Sequence, residues 1–175
     1  IESGRISLAE EEFNLSELVD NLISMAKSEM DEHHHSLEVN IKNIEHEDAY
    51  VDTLRIQQVF MNLMSNSVKY TPDGGHIVFS IEERPNGQSE LGCYVFSIED
   101  DGIGMDEDFQ KIMFQPFTRV DDNRTTKIQG TGLGMAITQN IVNMMNGNIQ
   151  VDSVLNRGTK ITVTIFLRLK EREID

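Results

Sequence analysis

The sequence contains a single cysteine, Cys93, in 175 residues. One thiol excludes an internal disulfide framework and suits a reducing compartment. Positive charge is also scarce, with 15 Lys and Arg against 30 Asp and Glu and a formal net charge of −15. Nucleic acid and anionic membrane surfaces attract basic proteins, so neither is an expected partner. A phosphate-bearing ligand must then be held by a local device or through a cation. No apolar run approaches the ~20 residues of a membrane span, and Ile1 opens no signal peptide. The chain therefore reads as soluble and without direct membrane contact. With no initiator methionine, its opening IESGRIS reads as part of a longer protein. What is present, 38% hydrophobic residues, is enough for one packed domain.

Leu15, Leu18, Val19, Leu22 and Ala26 recur at helical spacing and predict an amphipathic helix from Asn14 to about Met30, capped by Asn14 or Ser16. SLEVNI (36–41) and DAYVD (48–52) read as short strands before a second helix, about Thr53 to Lys69, which TPDGG (71–75) ends. HIVFSIEE (76–83) and GCYVFSIED (92–100) alternate like the arms of a hairpin. A short helix around Asp106–Met113 and a polar, aperiodic stretch from Thr118 to Gly130 follow. A third long helix, about Thr131 to Asn146, leads to closing strands GNIQVDS (147–153) and GTKITVTIFL (158–167), and the charged tail RLKEREID is expected to fray. Hairpins outnumber crossovers, which favours an α+β sandwich with one mixed sheet under a helical layer.

Three stretches carry chemistry. In NLMSNSVKY (62–70), a turn of ~100° per residue groups Gln58, Asn62, Asn66 and Lys69 on one polar edge, beside the face of Ile56, Val59, Phe60, Leu63 and Ser67. An Asn carboxamide oxygen is a hard neutral ligand for Mg²⁺, and a lysine can meet phosphate oxygens; a solvated edge, or an Asn bonded to backbone, fits the same pattern. IEDDGIGM (98–105) ends a strand in two aspartates. A carboxylate only accepts hydrogen bonds, so it selects a ligand with an amino group, such as adenine, over one with a carbonyl there, such as guanine. Gly102 and Gly104 allow backbone to approach a flat base, although an ordinary turn also uses such glycines. GTGLGMAI (130–137) opens a helix with alternate glycines, whose free N–H groups and dipole suit phosphate; a glycine hinge is the plainer alternative. No G-x-x-x-x-G-K-[ST] occurs, and the polar TTKIQ is not the strand that a dinucleotide-binding motif follows.

In this order and spacing the stretches resemble the ATP-binding catalytic domain of sensor histidine kinases, in the superfamily that includes gyrase B subunits, heat-shock chaperones and mismatch-repair ATPases. NLMSNSVKYTP resembles the N box, DDGIG the G1 box, FQPF (114–117) the F box, GTGLG the G2 box and RGTKITV the closing strand motif. IESGRISLAEEEFNLSELV resembles the join from the dimerisation helices. The resemblance implies a two-layer α/β sandwich with a mixed, mostly antiparallel five-stranded sheet under three helices. It divides the chain into the end of a dimerisation helix and linker (1–13), a catalytic domain (14–168) and a tail (169–175). It implies ATP and Mg²⁺ as cofactors, with Asn66 the metal ligand and Asn62 one turn earlier. Asn62, Lys69 and Arg119 form the set assigned to catalysis, Lys69 near the phosphates and Arg119 reaching the γ-phosphate from a lid. Tyr70 is placed beside the base, Asp100 on the adenine amino group with Gly102 and Gly104 alongside, and Thr159 on adenine, partly through water. Gly130, Thr131, Gly132, Leu133 and Gly134 are assigned to phosphate, with Lys127 and Arg124, both more loosely matched than Arg119, as further basic residues of the lid. Phe114 and Phe117 anchor the lid by packing.

Two absences refine this picture. Superfamily members that hydrolyse ATP carry a glutamate four residues before the metal asparagine, where it can deprotonate water; this chain has Asn62. Transfer to an external nucleophile is then the better reading, and the resemblance implies a histidine on a dimerisation domain. Nothing here resembles the phosphoacceptor box, and His33, His34 and His35 read as a solvated helix end. His46 and His76 read as bland. The chain is therefore expected to bind Mg-ATP or ADP and to phosphorylate nothing alone. Implied partners are the upstream dimerisation and phosphoacceptor domain, a response-regulator receiver domain and, in the whole protein, a second copy. The implied setting is cytoplasmic, with a parent protein that is membrane-anchored in many family members. A stand-alone ATPase and a nucleotide-binding regulatory module are the alternatives. Ser67, where alanine is common, Thr118, where an aromatic is common, and the lack of a proline after the last strand depart from the family pattern.

Overall fold

A computed structural model describes residues 9–114 and 134–170. Its elements are β1 (Glu11–Asn14), α1 (Leu15–Glu32), β2 (Ser36–Lys42), β3 (Asp48–Val51), α2 (Thr53–Tyr70), β4 (His76–Arg84), β5 (Leu91–Asp100), α3 (Glu107–Ile112), α4 (Gly134–Met144), β6 (Asn148–Val154) and β7 (Gly158–Leu169). One seven-stranded sheet runs β1-β3-β7-β5-β4-β2, with β6 also paired to β7. All pairs are antiparallel except β2 with β4.

The α+β sandwich holds, with seven strands where five were expected. Residues 11–13, read as part of a linker, lie in β1, an edge strand that pairs with β3 from Glu11↔Val51 to Asn14↔Asp48. β7 runs on to Leu169, which is buried and pairs with Ala49, so the first tail residue belongs to the sheet. Asp52 is no strand residue but the N-cap of α2, its carboxylate accepting from Arg55 N at 3.0 Å. Asn14 caps α1 in the same way, accepting from Glu17 N at 3.2 Å.

The twofold alternation of strands sorts the sheet into faces. Ile77, Phe79 and Ile81 of β4, Tyr94, Phe96 and Ile98 of β5, and Ile161, Val163, Ile165 and Leu167 of β7 are buried in one core with the apolar faces of α1, α2 and α4. Phe60 of α2 seats on this surface, its ring 4.4 Å from that of Phe96 and 6.0 Å, edge-on, from that of Phe79. α2 contacts both α1 and α4 and lies against β5, so its polar edge is fixed relative to the C-terminal end of that strand.

The histidine run is not a solvated helix end. His33 donates from Nδ1 to Asp73 at 3.0 Å and remains partly exposed, but His35 is buried. Its Nε2 lies 3.0 Å from the Thr71 carbonyl, which only accepts, so that nitrogen carries the proton. With Gly74 N donating to His33 O, this ties the end of α1 to the cap of α2. His46 is bonded too, through Nδ1 to Glu83 at 2.6 Å. Replacing Phe60 with Ala should cost about 3–5 kcal/mol of unfolding free energy, read by denaturant titration, because the two remaining rings, Phe79 and Phe96, cannot close over the gap; a cost below about 1 kcal/mol would contradict this packing.

Candidate active site

The polar edge of α2 does not face solvent at its asparagines. Both are half-buried, and each turns its NH₂ toward the first turn of α4. Asn62 Nδ2 donates to Gly134 O and to Thr138 Oγ1, both at 3.2 Å. Asn66 Nδ2 donates to Met135 Sδ at 3.1 Å. Lys69, one turn on, is exposed.

Asp100 is in phase with Tyr94, Phe96 and Ile98, so the last side chain of β5 points into the helical layer and is 7% exposed. Its Oδ1 accepts from Gly102 N at 2.9 Å. Burial pushes its carboxyl up to about 6, against the opposing pull of hydrogen bonds from Gly102 N, the Ser67 hydroxyl and Thr159 N. Asp101 serves elsewhere, accepting from His76 N at 2.8 Å. The two aspartates of the motif thus divide between the buried end of β5 and a turn.

The glycines beside them carry a structural load of their own. A Cβ on Gly102 would strike the Tyr70 carbonyl, and one on Gly104 (φ +68°) the Val154 carbonyl. Ile103 fixes this wedge, donating to Tyr70 O at 3.0 Å and accepting from Asn156 N at 2.6 Å. The half-buried Tyr70 is therefore held beside Asp100 through its backbone. Thr159 is the cross-strand partner of Asp100. Its hydroxyl lies 2.8 Å from Ser153 Oγ, which donates to Gly158 O at 3.0 Å and accepts from Met105 N at 2.8 Å. The Ser153 proton is thereby committed, so Thr159 donates within the pair and its own oxygen remains an acceptor.

The family model described as histidine kinase-, DNA gyrase B-, and HSP90-like ATPase matches residues 51–170, which span both asparagines, Asp100 and α4. The chain belongs to this ATPase family. Sensor histidine kinase WalK of Bacillus subtilis (strain 168) is 43% identical over 137 residues, covering 77% of this chain and 21% of WalK. The signal transduction histidine-protein kinase BarA of Escherichia coli (strain K12) is 33% identical over 169 residues, 97% of this chain and 18% of BarA. The chain thus spans about a fifth of the curated relatives it matches. The catalytic domain of histidine kinase ThkA superposes with TM-score 0.74 at 25% identity, over 90% of this chain and 95% of that one. Full-length ShkA, solved in complex with AMPPNP, shares the fold at TM-score 0.79 and 20% identity, over 97% of this chain and 33% of ShkA.

Within this ATPase domain, the structure gathers Asn62, Asn66, Tyr70, Asp100, Gly102, Gly104, Gly134 and Thr159 where α2, α4 and the ends of β5 and β7 meet. Arg119, Lys127, Gly130, Thr131, Gly132 and Leu133 lie outside the described residues, as do Phe117 and Arg124. Phe114 is half-buried against the core. The donor set suits Mg²⁺ held by neutral oxygen: among the described residues no group of three or more His, Cys, Asp or Glu could hold a metal, and none of those residues donates a hydrogen bond to Asn66 Oδ1. Sequence reasoning treated Ser67 as a minor departure, yet it is buried and bonded to Asp100. Ser153 and Met135 were not singled out at all.

Because the folded carboxyl of Asp100 titrates above the ordinary range, its contribution to stability is full at pH below about 4 and is lost as pH rises through about 6. Asp100→Asn should therefore gain stability relative to the parent on raising pH from 4 to 7, and carbon-13 NMR should place the Asp100 carboxyl at about 6. Ser67→Ala removes a donor to the charged form and should move it higher still. A midpoint in the ordinary carboxylate range would contradict this environment.

Proposed function

We propose that this domain binds Mg-ATP and presents the γ-phosphoryl to a histidine on a dimerisation domain outside the chain, as the catalytic domain of a sensor histidine kinase, for onward transfer to a response regulator. The observation that carries this reading is Asn62. Its amide is neutral, cannot take a proton from water, and has its NH₂ committed to Gly134 O and Thr138 Oγ1. The position where related hydrolases keep a general base is thus occupied by a clamp. Phosphoryl transfer asks a nucleotide domain mainly for positioning and charge neutralisation, so the nucleophile can come from elsewhere.

The residues divide the work by chemistry. Asp100, ionised, accepts from the adenine amino group, and Thr159 offers a second acceptor beside it. Tyr70 lines the base, and Gly102 and Gly104 hold the wall in place. Asn66 supplies a neutral oxygen to Mg²⁺, which when bound offsets phosphate charge. Lys69 reaches the phosphates from the exposed end of α2. Arg119, Lys127 and the segment Gly130–Thr131–Gly132–Leu133–Gly134 complete the phosphate and lid contacts. The parent protein acts as a homodimer with this domain in the cytoplasm; among the described residues no helix is long and apolar enough to cross a membrane.

Calorimetry with Mg-ADP should show affinity lowered about tenfold or more by Asp100→Asn and by Asn66→Ala, each of which removes a hydrogen bond or ligand to charge. Unchanged affinity in both would sink the site assignment. The chain alone should incorporate no phosphate from ATP, whereas the protein extended to include its dimerisation helices should acquire acid-labile phosphate. Robust self-phosphorylation of the chain alone, or steady ATP hydrolysis by it, would overturn the transfer reading.

A further inference from the structure

The two asparagines of α2 share an environment that the family motif does not specify. Each α4 group hydrogen-bonded to them is an acceptor. Gly134 O is a carbonyl; Thr138 Oγ1 donates its own proton to Gly134 O at 2.8 Å and so can only accept from Asn62. Met135 Sδ is a thioether with no proton to give, 3.1 Å from Asn66 Nδ2. A carboxamide has two nearly isosteric ends, and rotation by half a turn exchanges its donor for its acceptor. Against a hydrocarbon wall the two orientations of Asn66 differ little. Against a sulfur acceptor they differ, because only the NH₂ end finds a partner.

We propose that Met135 is a positioning residue for the metal site: its thioether selects the Asn66 rotamer that turns NH₂ into α4 and leaves Oδ1 for Mg²⁺. The inference rests on the Mg-nucleotide reading above. Met135 is 9% exposed and sits one residue beyond Gly134, which Asn62 already grips. Asn62 thus holds the first turn of α4 at a fixed height on α2, and Met135 uses that registration to orient the ligand one turn along. A Met to Leu exchange keeps volume and apolar character, so it removes the acceptor with little effect on packing.

The test is the ratio of ADP affinities with and without Mg²⁺, measured by calorimetry on the chain as it stands. Met135→Leu should cut the Mg²⁺ enhancement about threefold to tenfold, the worth of one modest hydrogen bond, while leaving Mg-free ADP binding unchanged. Met135→Gln, which returns an acceptor oxygen on a chain of similar length, should retain the enhancement. An undiminished ratio in Met135→Leu overturns the proposal, as does an equal loss with and without Mg²⁺, which is the signature of packing alone. Asn66→Ala separates the two levels: if it leaves the ratio intact, the metal assignment itself fails, whereas a ratio that falls for Asn66→Ala but not for Met135→Leu refutes only the role of Met135.

Discussion

One carboxylate sits on the wrong side of a sheet. Asp100 ends β5 on the face that otherwise carries Tyr94, Phe96 and Ile98, so the alternation that builds the core also drives a charged group toward it. Burial without compensation would neutralise the carboxyl outright. Gly102 N, the Ser67 hydroxyl and Thr159 N hold it short of that, at about 6, so that it is ionised at neutral pH yet remains an acceptor with little water around it. The neighbouring backbone is arranged around this point. Gly102 must be glycine because Tyr70 O crowds it, Gly104 because Val154 O does, and the β6–β7 turn closes against both through Asn156.

The second constraint joins α2 to α4. A helix whose polar edge carries two asparagines could have left them in water, but here each is matched to an acceptor on the neighbouring helix. This converts a soft contact between helices into a registered one, since carboxamides reach only about one hydrogen-bond length. The start of α4 and the polar edge of α2, to which phosphate and metal are assigned in the proposed function, are then joined to the buried end of β5, because α2 is also seated on that strand through Phe60. Positioning is the main contribution such a domain can make to phosphoryl transfer, and this arrangement supplies it.

Much of this was legible in the sequence where local chemistry decides structure. The 3.6-residue periodicity, with the Asn14 cap of α1 and the TPDGG stop of α2, set both helices to within about two residues, and DDGIG pointed to Asp100. Features set by partners distant in sequence were not legible. EEFN has neither alternation nor β-branching, and becomes β1 only because β3 offers an edge. His35 looked like one of three equivalent histidines until the loop after α2 brought Thr71 to it. Ser67 sat on the face assigned as apolar, and its bond to Asp100 depends on how far β5 extends beneath α2. Met135 drew no reading of its own, because nothing in a helix pattern tells a thioether that packs from one that accepts a hydrogen bond.

The central claim is that a buried acceptor at Asp100 reads the amino group of adenine. Competition between ADP and inosine diphosphate, which carries a carbonyl in place of that amino group, tests it directly at pH 7. The account predicts inosine diphosphate to bind at least about tenfold more weakly, since its carbonyl would face a carboxylate with no proton between them. Equal affinities for the two would contradict it.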